Sequence, residues 1–273
     1  MPKIGTLNES SLHETLKQHF CCSGAKTEVP IDSFVCDILC PDKKIIEIQT
    51  SNLSSLKKKL SVLLKTYKVE VVFPIFENNF IRVLKKEKDK IKYAEPKNLP
   101  KSISHFEYFS PDLSASLACE KKTAYDLENT NLYEASFRKS PKHENYFSLF
   151  RELTKIYPFF RNKNFSLTLL YIDIETIKID DKKGRSRWGN PRIVDKKLLK
   201  INRIEKIKTL EDLCEPIFDK LPEKFTRKDL EKFTNKKNAS FTLWVLRKLG
   251  VIYLSNKLKN LHVYKKSITK SKN

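Results

Sequence analysis

No stretch of this 273-residue chain approaches the roughly 18 consecutive apolar residues that a membrane-crossing helix requires. The N-terminus also lacks the apolar core of a secretory signal. Six cysteines occur, at positions 21, 22, 36, 40, 119 and 214, but there is no C-x-x-C pair and no histidine at zinc spacing. Neighbouring Cys21 and Cys22 are poorly placed to bridge to each other. These absences together predict a reduced, intracellular protein in the cytoplasm, with no membrane partner. Negative charge is also scarce: 33 acidic side chains face 54 basic ones, a formal net charge of +21.

What is present is a core. With 40% hydrophobic and 11% aromatic residues the chain is not a disordered one, even at 32% charged. The excess of Lys and Arg points to a polyanion partner, because those side chains displace condensed counterions from nucleic acid. A generally cationic surface is the plainer alternative.

The rest of the chain is organised around Phe34–Thr50, F-V-C-D-I-L-C-P-D-K-K-I-I-E-I-Q-T. Two β-branched runs, Phe34–Leu39 and Ile45–Gln49, flank a Pro-Asp-Lys-Lys break and predict a hairpin. Alternation puts Val35, Leu39 and Ile45 on one face and Cys36, Ile38, Ile46 and Ile48 on the other, as in a covered sheet. Yet each run carries a central acid, Asp37 and Glu47, and Gln49 follows two residues on. Burying a carboxylate is costly unless it is paired or bound to a cation. Two such acids on adjacent strands predict a cation site. Ionised carboxylates about 4 Å apart repel by roughly 4 kcal/mol at an effective dielectric near 20. Without a cation the pair is therefore expected to hold a proton or draw in a lysine. The acids share a face only if paired residues sum to an even number.

Ahead of the hairpin, Thr6-Leu-Asn-Glu9 has capping-box spacing, and Leu7, Leu12, Leu16 and Phe20 recur helically. A helix from about Asn8 to Phe20 is expected, with Glu9 available as its reciprocal cap. Glu28–Ile31 predicts a strand. Behind the hairpin, a helix through about Tyr67 would bury Leu53, Leu56, Leu60, Leu63 and Leu64 and carry Lys57, Lys58 and Lys59 opposite. Val69–Ile75 predicts a third strand, and Phe80–Leu84 with Lys90–Tyr93 a further hairpin. This order defines an α/β domain over residues 1–94.

Prolines at 96, 100, 111 and 141 mark 95–143 as a linker or insertion. Residues 144–208 form an α+β segment: an amphipathic helix over Tyr146–Tyr157, then strands at Phe165–Ile179 and Lys196–Lys208. Asp173 and Glu175 are a rival acidic pair, read as a polar strand face lacking two-sided burial. The loop Lys182–Arg192 gathers Arg185, Arg187, Trp188 and Arg192. It reads equally as a nucleic-acid contact or as a solvent loop with Trp188 folded back.

Over 209–273, Thr209-Leu-Glu-Asp212 caps one helix and Thr226-Arg-Lys-Asp229 a second. A turn at Asn235–Asn238 leads to a third helix, Ser240–Leu249, which Gly250 stops. Two short strands, Val251–Leu254 and Leu261–Tyr264, complete a winged helix-turn-helix. Its third helix would enter the major groove and its wing would meet phosphates. Winged helices that contact protein also exist. Lys236, Lys237, Arg247, Lys257 and Lys259 are the expected contacts, with Lys57 on the earlier helix.

The run D-I-L…I-I-E-I-Q, with Glu9 on a helix before it and a lysine-bearing helix after it, resembles the PD-(D/E)XK nuclease superfamily. Ile4–His13, Glu28–Ile38, Ile46–Thr50 and R-K-S-P-K also resemble an uncharacterised bacterial family placed in that superfamily. The resemblance implies a restriction-endonuclease-like mixed sheet flanked by helices, followed by the α+β segment and the winged helix. It also implies Mg²⁺- or Mn²⁺-dependent phosphodiester hydrolysis. Asp37 and Glu47 become the metal ligands, and Glu9 the helix acid that some members add. Gln49 stands where the pattern has Lys, and Gln cannot lower the pKa of a water as a cation does. Lys58, with Lys57 and Lys59 beside it, is expected to supply the missing charge, as migrated lysines do in relatives; Lys17 is another candidate. The partner implied is double-stranded or branched DNA, and a homodimer is compatible because many relatives dimerise. A catalytically inactive nuclease-like protein that binds DNA or regulates is the main alternative. A protein-interaction module of a bacterial defence or repair system is another.

Overall fold

A computed structural model of the chain describes residues 10–86, 132–182, 190–258 and 261–267. The protein is α/β, with a large mixed sheet and helices. Helix α1 (Ser11–Phe20) precedes strands β1 (Lys26–Ile31), β2 (Phe34–Leu39) and β3 (Lys44–Ile48). A 3-10 turn at Leu53–Leu56 leads into α2 (Lys57–Leu63) and then β4 (Lys68–Lys86). Strand β5 (Leu132–Lys139), helix α3 (Leu149–Leu153) and strands β6 (Phe165–Asp180) and β7 (Arg192–Ile207) follow.

The sheet order is β1-β2-β3-β4-β6-β7, with β5 pairing β4. The first three strands are antiparallel neighbours, whereas β3 and β4 run parallel. A parallel pair needs a crossover, and α2 provides it.

Two compact units divide the chain. One comprises Met1–His19, Asn79–Ser140 and Ile174–Leu198; the other comprises Phe20–Asn78, Pro141–Asp173 and Leu199–Asn273. Strands β4, β6 and β7 each contribute residues to both. The units therefore do not coincide with the four consecutive segments expected from the sequence.

Among the described residues, the larger unit holds an extended hydrophobic core. Leu53, Leu56, Leu60, Leu63 and Leu64 are all buried, together with Ile45, Val69, Val71, Phe73 and Ile75 of the sheet. Phe147, Leu149, Phe150 and Leu153 join the same cluster, as do Leu213, Ile217, Leu230, Leu246 and Leu249 nearer the C-terminus. No break in packing therefore occurs at residue 209.

That C-terminal part runs α4 (Leu210–Phe218), β8 (Lys224–Thr226), α5 (Arg227–Glu231), α6 (Lys236–Leu249), β9 (Ile252–Leu258) and β10 (Leu261–Lys266). Its three-stranded sheet has the order β8-β10-β9. Both expected capping boxes form, Thr209 with Asp212 and Thr226 with Asp229. Gly250 ends α6 at φ +74, the left-handed conformation that glycine adopts without a Cβ penalty. The start of α6 corrects the expectation. Asn235 accepts from the Asn238 amide at 2.9 Å and caps the helix, so the residues read as a turn are its first residues.

Three other expectations change. Residues 69–75 and 80–84 belong to one strand, because the polar break between them is satisfied sideways. Asn78 donates to Asp173 at 2.7 Å, and Asn79 accepts from Thr176 at 2.8 Å. Strand β5 occupies part of the expected linker and pairs with Phe80–Lys86. The Tyr146–Tyr157 helix is broken into 3-10 turns at Tyr146–Ser148 and Tyr157–Arg161 around the short α3. The proposed strand at Lys90–Tyr93 lies outside the described residues.

In the smaller unit, Asp195 of β7 caps α1, accepting from the Ser11 amide at 2.9 Å. Leu84, Ile177 and Ile179 form a small core there. No described helix is long and apolar enough to cross a membrane.

Candidate active site

The hairpin acids meet where the strand ladder opens. Ile38 pairs with Ile46 and Leu39 with Ile45, an even register whose next step would set Asp37 opposite Glu47. That step is missing from the ladder. Instead the Ile48 amide donates to the Asp37 carboxylate at 2.7 Å. Cys36, placed by alternation with Ile38, belongs to the buried cluster of Ile45, and its thiol interacts with Glu47. Simple alternation therefore fails across Asp37.

Glu47 is 2% exposed. Lys59 of α2 reaches it, with Nζ 2.5 Å from Oε2, and also donates to the Val35 carbonyl at 2.6 Å. The other carboxylate oxygen, Oε1, is buried and makes no geometrically acceptable hydrogen bond. A thiol such as that of Cys36 is at most a weak donor to it. Burial, with the negative charge of Asp37 adding and Lys59 opposing, lifts the Glu47 carboxyl to about 7. Lys59 is the lysine drawn in, and burial at the same residue favours the protonated carboxyl.

A second buried glutamate shows the contrast. Glu70 of β4 is also an acid within an apolar run, a signal that sequence reasoning passed over. Lys44 lies 2.5 Å from its Oε2, and Thr168 donates to Oε1 at 2.5 Å. Burial pushes its carboxyl up, but these partners outweigh burial and hold it below the ordinary value. Glu70 is a satisfied ion pair, whereas Glu47 keeps an unsatisfied oxygen.

The rival acids on β6 are occupied as well. Asp173 accepts from Asn78 and from Asn202 at 2.9 Å, and Glu175 pairs with Arg82. The strand is buried on both faces, contrary to the expected polar face, because it runs between β4 and β7.

Of the expected site residues, Asp37 and Glu47 come together and Lys59 joins them. Lys58 and Lys57 are exposed on α2, which corrects the choice of Lys58. Lys17 is buried on α1 with Nζ 3.5 Å from Glu14. Gln49 is half-buried; its side chain donates to the Ser51 carbonyl and its amide donates to Val72 at 2.9 Å. Glu9 lies outside the described residues. Among those described, no group of three or more His, Cys, Asp or Glu side chains converges on a metal-sized site.

The basic positions separate similarly. Arg185, Arg187, Trp188 and Lys259 fall outside the described residues. Arg192 is held by Asp181 at 2.8 Å. Lys236, Lys237, Arg247 and Lys257 are exposed. The structure adds Ser240, Trp244 and Lys248 to the exposed side of α6, a helix without an acid. Trp244 is 42% exposed, edge-on to Tyr157 at 5.5 Å and 5.7 Å from the Lys248 ammonium. Its spacing from Lys237, Ser240 and Arg247 was legible as a helical stripe.

The chain belongs to the family described as Domain of unknown function (DUF8091), which matches residues 10–111 and 119–208. It is 31% identical over 263 residues to a Treponema pallidum (strain Nichols) protein named "Uncharacterized protein", covering 96% of this chain and 87% of that relative. The family match ends just before Thr209, while a match of the relative's span takes in most of 209–273. No solved structure matches the chain.

Proposed function

We propose that this protein is a metal-dependent nucleic-acid phosphodiesterase of the PD-(D/E)XK type, acting on DNA and docking it through a C-terminal winged helix. The observation that carries this reading is the opened ladder at Asp37 and Glu47, which brings two carboxylates together and leaves one buried Glu47 oxygen with no strong hydrogen-bond donor. A buried carboxylate oxygen without a strong donor costs free energy. Such a cost suits a place that receives a cation.

The donor set fits Mg²⁺ or Mn²⁺. Hard oxygen ligands suit these ions, and Mg²⁺ keeps several waters while using one or two carboxylates plus substrate phosphate. Asp37 and Glu47 would hold the ion, which when bound would supply positive charge to the attacked phosphodiester and its leaving oxygen. Lys59 offsets part of the Glu47 charge and lies beside the site, in the role that the motif lysine would fill. Gln49 orients rather than activates, since an amide carries no charge.

For docking, the order of α4, β8, α5, α6, β9 and β10 supports a winged helix, with α6 as its third helix. The exposed side of α6 presents cations and Trp244 with no acid, a pattern suited to a phosphate backbone. The chain's net charge of +21 favours the same partner.

The full chain incubated with supercoiled plasmid, single-stranded DNA and branched DNA, with Mg²⁺ or Mn²⁺, tests the reading. Cleavage lost in Asp37→Ala and Glu47→Ala supports it; cleavage that survives both removes the site assignment. One observation favours a second reading. Gln49 is tied to Ser51 and leaves the motif lysine position uncharged. Salt-sensitive DNA binding without cleavage would make the protein a catalytically inactive nuclease-like binder.

A further inference from the structure

Two thiols far apart in the sequence meet near the hairpin. Cys22 follows α1, and Cys40 is the first residue after β2, 18 positions later. Their Sγ atoms are 3.2 Å apart. We propose that Cys22 and Cys40 form a reversible disulfide when the protein meets a low-molecular-weight disulfide such as oxidised glutathione.

Both thiols are held in place by backbone. On one side, the Ala25 amide donates to the Cys22 carbonyl at 3.0 Å, closing a tight turn with Gly24 at φ +75. On the other, the Cys40 amide donates to Lys44 at 2.8 Å, and its carbonyl accepts from Lys43 at 3.2 Å. The two turns are in close contact. A Cβ at Gly24 would lie 3.3 Å from Cγ of Pro41. A side chain there would be strained by the positive φ and would push Pro41 back by a few tenths of an ångström. A disulfide brings its sulfurs to about 2.0 Å, so closure needs a shift of only about 1 Å from the observed separation.

The order of attack follows from exposure. Cys22 is exposed, while Cys40 is 7% exposed and burial pushes its thiol up to about 12. The Cys22 thiolate therefore attacks the external disulfide first, forming a mixed disulfide and releasing one small thiol. The Cys40 sulfur then gives up its proton to solvent and displaces the second small thiol. Two protein thiols are oxidised, one external disulfide is reduced, and two small thiols leave. Cys21, also exposed, has its thiol directed to the Cys22 carbonyl at 4.0 Å rather than to Cys40. The bond would close a loop around β1 and β2 and tie down the chain three residues after Asp37.

The full chain is titrated with oxidised glutathione, and the products are followed by intact mass and by non-reducing peptide mapping. The expected product has lost two hydrogens, links the Cys22 and Cys40 peptides, and melts several degrees higher than the reduced form. Cys22→Ser, at an exposed position, should lose the product, as should Cys40→Ser. Cys21→Ser should form it normally, and Gly24→Ala should form it several-fold more slowly. A link through Cys21, a chain-to-chain dimer, or a persistent mixed disulfide at Cys22 with Cys40 still alkylated by maleimide would overturn the proposal.

Discussion

Lys59 Nζ lies 2.5 Å from the Glu47 carboxylate and 2.6 Å from the Val35 carbonyl, so one ammonium spans β2 and β3 beside Asp37. On the proposed reading, a metal ion and a substrate phosphate would bind beside it. On that reading, the flexible stem of Lys59 would let it yield to an ion and still face a phosphate. Removing the lysine should push the Glu47 carboxyl further up and favour its protonated form.

The first prediction compares adjacent lysines. Lys59→Ala should lower Mg²⁺-dependent cleavage by about two orders of magnitude or more, the usual scale for losing one electrostatic partner of the reaction. Lys58→Ala should stay within about twofold, because Lys58 is exposed and surface charges act weakly. Equal losses from both, measured on one plasmid substrate, would contradict the assignment to Lys59.

A pH dependence follows from Glu47, whose carboxyl burial lifts from 4.5 to about 7. A carboxyl raised by folding stabilises the fold in its protonated form. That contribution is fully present below the unfolded value and is lost as pH rises through about 7. The Tm should therefore fall between about pH 5 and pH 8, and Glu47→Gln should flatten the fall. Mn²⁺ affinity should rise over the same range, because a ligand carboxylate must be ionised. A calorimetric titration in which Glu47→Gln keeps the wild-type slope would rule this out.

The exposed stripe of α6 makes a separate prediction. Charge reversals Lys237→Glu and Arg247→Glu should each weaken DNA binding and make the salt dependence shallower by about one contact. Trp244→Ala should cost about 1–3 kcal/mol if its ring stacks on a base. Unchanged affinity in all three, by fluorescence anisotropy at fixed salt, would move the interface off α6.

The core offers a control for stability. Leu60 follows Lys59 directly on α2 and is fully buried against the sheet. Leu60→Ala should cost about 2–5 kcal/mol, the range for a large cavity in a packed core. Chemical denaturation measures this, and a loss below about 1 kcal/mol would mean that α2 is not anchored there.

Much of this protein was readable from local pattern. The hairpin, its two central acids, the capping boxes at Thr209 and Thr226 and the stop at Gly250 each depend on residues a few positions apart, so spacing alone carries them. The leucines of α2 were readable for the same reason, since helical period decides which residues share a face. What pattern could not supply was the partner across space. Lys57, Lys58 and Lys59 differ by about 100° steps around one helix, and only the packing of Leu56, Leu60 and Leu63 selects Lys59. Asn78 and Asn79 look like a break until Asp173 and Thr176 satisfy them, so one long strand was read as two. Glu70 and Glu47 look alike in sequence and each has a lysine at 2.5 Å, yet Thr168 satisfies the second oxygen of Glu70 while that of Glu47 has no strong donor. Cys22 and Cys40 share no motif, and only the contact of two turns brings their sulfurs together. Sequence determined which groups were available; the tertiary fold decided which of them are neutralised, because that depends on distance and dielectric, which spacing does not encode.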